Sequence, residues 1–339
     1  MIANSFLSFT VIMDVDPPLT ELHRIEELWF DDGNIVLQAG YAQYKVFRGI
    51  LARHSVVFQD MFAFPQPPDE ESVDGCPLVH LPDAEVEVTP FLKALFEPNY
   101  FPPFPMKTKL VTLYGCLRLS SKYGVDAIRT NALKHLTSMF HTSFDEWDDE
   151  RSVEDLDNEY PQYLVCCLQL GYEVDAAWTL PCMYYTLATY FDVLKLSQFH
   201  GVRWRGIEGK IAEAHQGAVM AGAEEQMREC WNVVLDVLAD PSILEQCETS
   251  NACGAAILAR LHAFQRDNRE FCRDPLSMWQ PSDWTALRVC PDCHSRLKRK
   301  VEAKQQAFWD RLPEIYGLPS WAELEARKKV ALGDEDDEE

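Results

Sequence analysis

The chain has 339 residues, more than the roughly 100–200 of a typical single domain, so two domains are expected. Hydrophobic residues make up 47% of it, with 18 Phe, 12 Tyr and 9 Trp, which is ample material for packed cores. Its 31 Lys and Arg stand against 54 Asp and Glu, a formal charge of -23; that field repels phosphates and anionic lipid, and argues against nucleic-acid binding unless a basic patch is segregated.

No apolar run reaches the roughly 18–20 residues of a membrane helix, and the opening MIANSFLSFTVIMDVD lacks the basic flank and small-residue cleavage site of a signal peptide. The expectation is an intracellular protein of cytoplasm or nucleus, with no membrane partner. Eleven Cys is an odd count, at spacings unlike a secreted disulfide framework. They read as free, buried thiols or, in places, metal ligands.

In chain order, residues 1–28 carry Pro17-Pro18 and read as a flexible lead-in with one helical turn over 19–28. NIVLQAG (34–40) and YKVF (44–47) predict a hairpin around Gly40. Two short helices follow, the first holding Ile50 and Leu51, the second (56–62) N-capped by Ser55. A Pro- and acid-rich loop leads to a third strand, CPLVHLPD. Thr89-Pro90 predicts a helix with Pro at its first position, where the missing amide hydrogen costs nothing. Leu110, Leu113 and Leu117 mark a further helix closed by Gly124, and Ile128, Leu133, Leu136 and Phe140 mark the next. Residues 141–160, with nine Asp or Glu against one Arg, predict an acidic connection. Helical periodicity then runs through 161–330 with no strand-rich stretch, and 331–339 reads as a disordered acidic tail.

The stretches NIVLQAG, YKVFRGILARHSVVFQDMF, LVHLPD, VTPFLKALF and LYGCLRLSSKYGVDAIRTNALKHL, in the order strand, strand, helix, helix, strand and three helices, resemble the BTB/POZ domain, in the divergent form common in basidiomycete fungi. The resemblance covers about residues 29–140. The fold class expected is therefore α+β: a BTB/POZ-like small sheet with helices, followed by an all-helical domain. The resemblance implies self-association and, in many family members, recruitment of a cullin-type ubiquitin-ligase scaffold. Residues 1–28 would supply the dimer-forming extension of some members, but two prolines and a weak helix there leave homodimerisation open. The surface around Tyr44, Phe58, Met61, Tyr114 and Tyr123 is expected to bind protein partners.

His54 lies beside Ser55, but sequence neighbours do not face each other on a helix and no G-x-S-x-G elbow positions a nucleophile. CPDCH (290–294) is the strong signal: a C-x-x-C turn aims Cys290 and Cys293 at one point and suits tetrahedral zinc. Cys247 and Cys253 are the candidates to complete a structural zinc site, with Cys272, Cys230 and His294 as alternatives. The basic run RLKRK (296–300) reads as the solvated face of a helix, since Leu297, Val301 and Phe308 supply an apolar stripe. FWDRLPEIYGLPSW reads either as a partner anchor through Phe308, Trp309 and Trp321 or as an intramolecular clamp.

Together these readings predict a non-enzymatic protein-interaction adaptor. The alternatives are a transcriptional or scaffolding regulator, or a zinc- or thiol-dependent enzyme in the helical half, which would need its ligands to surround an open position.

Overall fold

The computed structural model describes residues 21–64, 71–147, 153–154, 162–190, 197–266 and 272–333. The fold is mixed α+β, with a five-stranded sheet in the N-terminal part and mostly helices after it.

Strands β2 (Ile35–Ala39) and β3 (Ala42–Val46) form the expected hairpin, in register from Ile35 opposite Val46 to Ala39 opposite Ala42. Gly40 turns the chain with φ +57, a conformation that side chains resist. Helices α1 (Arg48–His54) and α2 (Val56–Ala63) carry the chain over the sheet to the short β4 (Ser72–Val73) and to β5 (Cys76–Leu81), which lies parallel to β2. Ser55 caps α2 as the sequence predicts, its Oγ accepting the Phe58 N–H at 3.0 Å. Helices α3 (Glu85–Phe96), α4 (Leu110–Tyr123) and α5 (Asp126–Thr137) follow, with β6 (Thr108–Lys109) before α4; Gly124 closes α4 at φ +65.

Two local expectations are corrected. The chain over 23–29 is not helical but forms β1 (His23–Trp29), added parallel to β3 at the sheet edge. The His23 N–H donates to the Tyr41 carbonyl and the Phe30 N–H to that of Lys45. Free groups on the β3 edge thus decide what a weak local preference does not. Helix α3 starts one turn before Pro90, which becomes its sixth residue. Extended Ala84 accepts the N–H of Glu87 and Val88, and Glu85 and Glu87 complement the helix N-terminus. The apolar face of Val88, Phe91 and Leu92 sustains the helix across the proline.

The second half contains β7 (Val153–Glu154), α6 (Gln162–Glu173), α7 (Leu180–Thr189), the four-residue α8 (Ser197–His200), β8 (Val202–Trp204), β9 (Ile207–Gly209), α9 (Glu213–Leu238), α10 (Ser250–Arg266), α11 (Pro281–Ala286), α12 (Pro291–Ile315) and α13 (Trp321–Leu332). Helices dominate, but β8 and β9 make a hairpin the helical reading misses. Its two-residue turn, Arg205-Gly206, has both φ positive, +46 and +84, the geometry that matches strand twist. Trp204 and Ile207 point inward, and Gly209 presses on α6: a Cβ there would lie 2.6 Å from Cys166 Sγ. Helix α13 runs to Leu332, two residues into the stretch expected to be disordered; the rest of that tail, 334–339, and the lead-in 1–20 lie outside the described residues.

Three apolar clusters hold the fold. The first lies between the sheet and α1 to α4, around Leu37, Tyr44, Phe58, Phe91 and Tyr123. The second runs from α4 and α5 through α6 and α7 to Phe308, Leu312 and Leu324. Helix α4 serves both, giving Leu119 and Tyr123 to one and Leu113, Tyr114 and Leu117 to the other. In the described part of the acidic segment, Phe144 and Trp147 pack on Trp309 with ring centroids 5.7 and 5.4 Å away. The aromatic stretch 308–321 clamps inward: Trp309 and Trp321 stack at 5.2 Å. A third cluster joins α9, α10 and α12 around Cys230, Val237, Ile257 and Leu297.

Candidate metal centre

The third cluster ends at four thiols. Helix α12 begins with Pro291 at its first position, and Cys290 is its N-cap, the sulfur accepting the Cys293 N–H at 3.5 Å. The C-x-x-C turn is thus a helix start, with Cys290 half-buried and Cys293 buried. Cys253 sits in the first turn of α10, and Cys247 in the turn between the 3-10 segment Pro241–Leu244 and that helix. All four Sγ atoms lie within 4.8 Å of one another, and Cys247 Sγ is 3.7 Å from Cys290 Sγ. Tetrahedral zinc with bonds of about 2.3 Å places its sulfurs roughly 3.8 Å apart. The four cysteines are close enough to hold a metal ion, and their donor set fits zinc.

Donors from two helix starts converge on this point. The Cys290 N–H donates to Cys253 Sγ at 3.3 Å, and Thr249 Oγ1 lies 3.3 Å from Cys253 Sγ and 3.7 Å from Cys247 Sγ. The Thr249 hydroxyl, then the Cys290 amide, hold the Cys253 thiol down at about 7, so it ionises readily. Burial pushes the Cys293 thiol up, and that thiol donates to the Ile243 carbonyl at 3.4 Å. Arg296 fixes the same stretch from α12, donating to the Ile243 carbonyl at 3.1 Å and to that of Glu245. Thr249 and Arg296 escaped sequence reasoning; the one available signal was Thr249 standing at a helix start between two cysteines.

The alternatives for the second ligand pair separate cleanly. His294 turns its ring edge-on to Trp284 at 5.3 Å, and Cys230 and Cys272 are not in the group of four. The run RLKRK faces acidic neighbours: Lys300 pairs with Asp240 and, one turn on, Lys304 pairs with Asp236, while Lys298 reaches Glu302 at 3.7 Å. His54 is exposed at the end of α1.

The residues expected to bind partners need correction. Tyr44, Phe58 and Tyr114 are fully buried and Tyr123 is 3% exposed, while Met61 packs partly buried on the sheet cluster. Tyr44 bonds Thr89 at 2.8 Å, and Tyr123 donates to Asp83 and stacks on Phe58 at 4.5 Å. Their spacing follows the core face, because burying a Phe or Tyr contributes about 1.5–3 kcal/mol that exposure would forfeit. The large apolar side chains that α1, α2 and the residue after them do expose are Ile50, Val56, Val57 and Phe64, the last two-thirds or more open to solvent at 71%.

No helix among the described residues is long and apolar enough to cross a membrane. Comparison with protein-family models, with curated proteins and with solved structures finds no match.

Proposed function

We propose that this chain is a non-enzymatic protein-interaction protein: a BTB/POZ-like unit presents the outer surface of α1 and α2 to protein partners, and a structural zinc staples the helical half. The observation that carries the reading is the closed donor set at Cys247, Cys253, Cys290 and Cys293. Four thiolates complete a tetrahedral shell and leave no position for substrate or activated water, which favours a structural ion over a catalytic one. The zinc-enzyme alternative requires the opposite arrangement.

Two features support the interaction module. The hairpin, helix pair and parallel strand, with three helices after them, follow the order that the BTB/POZ resemblance implies. Val56, Val57 and Phe64 leave apolar area in water that a partner would cover.

The experiment has two arms on the full-length protein. Metal analysis is expected to return one zinc per chain, lost in Cys290→Ser; a zinc-free, fully folded protein overturns the structural-zinc part. Affinity purification from the cells that express the chain is expected to recover protein partners, a cullin-type scaffold among those to look for. Val56→Asp combined with Phe64→Asp should lose them with circular dichroism unchanged. An unchanged partner set overturns the assigned surface.

A further inference from the structure

The four sulfurs of the metal centre are not equivalent. Cys253 and Cys293 are buried, at 2% and 0% exposure, whereas Cys247 and Cys290 are half-buried and are the ones solvent reaches. The buried sulfurs are fixed by the protein around them. Cys253 Sγ accepts the Cys290 N–H at 3.3 Å and lies 3.3 Å from Thr249 Oγ1, and the Cys293 thiol donates to the Ile243 carbonyl at 3.4 Å.

The half-buried pair is already in contact, its sulfurs 3.7 Å apart. A disulfide needs about 2.05 Å, so closure asks the two to approach by about 1.7 Å. Neither residue sits in a helix interior: Cys290 is the extended N-cap of α12, and Cys247 lies in the turn between the 3-10 segment and α10. The approach therefore moves turn backbone and leaves both helices in place. Sulfurs that ligate a metal do so as thiolates, the nucleophilic form, and here two of them meet an oxidant from water side by side.

We propose that Cys247 and Cys290 are a modification site at which a peroxide joins the two sulfurs as a reversible disulfide and so breaks up the four-sulfur set; the pairing stands on the sulfur contact, while release of the ion rests on the structural-zinc reading above. One thiolate of the pair attacks a peroxide oxygen; an S–O bond forms, the O–O bond breaks and hydroxide leaves. The other thiolate attacks the sulfur of that sulfenic acid; the S–S bond forms, the S–O bond breaks and a second hydroxide leaves. Two protons, from solvent or from the thiols where no ion is bound, turn the hydroxides into water. Two sulfurs lose two electrons, the peroxide gains them, and an added reductant reverses the step. Cys253 and Cys293 are then two ligands where a structural zinc takes four, so the ion leaves. The bridge spans 43 residues and ties the start of α12 to the turn before α10. One cross-link of the helical half is exchanged for another.

The test is hydrogen peroxide treatment of the full-length protein as purified, its zinc content measured first, with a chromogenic indicator reading freed zinc. Alkylation and digestion without reduction follow, using a protease that cuts after acidic residues. Cleavage at Glu248 parts Cys247 from Cys253, and cleavage at Asp292 parts Cys290 from Cys293, so mass mapping assigns each sulfur. The expected result is one cross-linked peptide pair, Cys247 to Cys290, two hydrogens lighter than its parts, rising in step with freed zinc, undone by a phosphine reductant and absent in Cys247→Ser. A link from Cys290 to Cys293 or from Cys253 to Cys293 in its place overturns the proposal. So does zinc freed with no link, or Cys247 and Cys290 found only as sulfinic acids. The wild-type map decides the matter even if the variant fails to fold. A zinc-free protein that forms the link sinks the structural-zinc reading and leaves the pairing intact; a zinc-loaded protein whose map shows another pair does the reverse.

Discussion

Gly222 in α9 and Tyr316 after α12 meet so closely that residue 222 admits no side chain: a Cβ there would stand 2.0 Å from Tyr316 Cε1 and 2.6 Å from Cζ. The ring has nowhere to go, being stacked on Tyr184 at 4.9 Å with its hydroxyl bonded to Gln226. Alanine raises helix propensity by about 1 kcal/mol over glycine, whereas overpacking a filled site costs about 1–3 kcal/mol or more. Gly222→Ala is therefore expected to lose up to about 2 kcal/mol net, read as a lower urea midpoint at unchanged slope. A gain in stability would contradict the contact.

Ser55 joins two elements at once. Its Oγ accepts the Phe58 N–H as the cap of α2 and donates to the Tyr123 carbonyl at the end of α4. Ser55→Ala removes the cap, worth about 1 kcal/mol, and leaves the Tyr123 carbonyl short of a donor in a buried place, worth about 1–2 kcal/mol more. Thermal unfolding should show the loss; a change within a few tenths of a kcal/mol would mean water replaces the hydroxyl.

His135 is fully buried, its Nε2 facing the Pro102 carbonyl at 3.1 Å between the rings of Phe101 and Phe104. Burial lowers its pKa from the ordinary 6.5, against the smaller opposing effect of that carbonyl. The sign follows from linkage: between the lowered native value and 6.5 the unfolded chain binds more protons, so stability falls as pH drops below 6.5 and is kept above it. The imidazole signal of His135 in a pH titration by NMR should show a midpoint below 6.5. A midpoint at or above 6.5 would refute the assignment.

Metal removal should act locally. The thiols belong to the cluster formed by α9, α10 and α12, which is separate from the sheet cluster around Tyr44 and Phe58. With chelator, hydrogen exchange should quicken over residues 241–266 and 281–301 and stay slow over 35–46 and 110–123. Equal protection with and without chelator would show that the thiols pack without an ion.

Much of the local structure was legible in the residues. The cap at Ser55, the stop at Gly124 and the hairpin at Gly40 all rest on contacts within about four residues, and so does the aim of Cys290 and Cys293. Strand β1 was not legible, because its hydrogen bonds go to β3, and the hairpin at Arg205-Gly206 was masked by the helical pattern on both sides. Tyr44, Phe58, Tyr114 and Tyr123 were legible as a pattern but not as a place: the same spacing describes a core stripe and a recognition surface until neighbours bury one of them.

By itself, the sequence determined the mixed α+β class, the acidic charge and half of a thiol centre, since composition, periodicity and short-range bonding are written in adjacent residues. Tertiary structure alone chose the other half. Cys253 meets Cys290 across 37 residues and Cys247 meets it across 43. Sulfurs so far apart in the chain converge only when α9, α10 and α12 bury a common apolar face, and that packing is a long-range outcome no local spacing encodes.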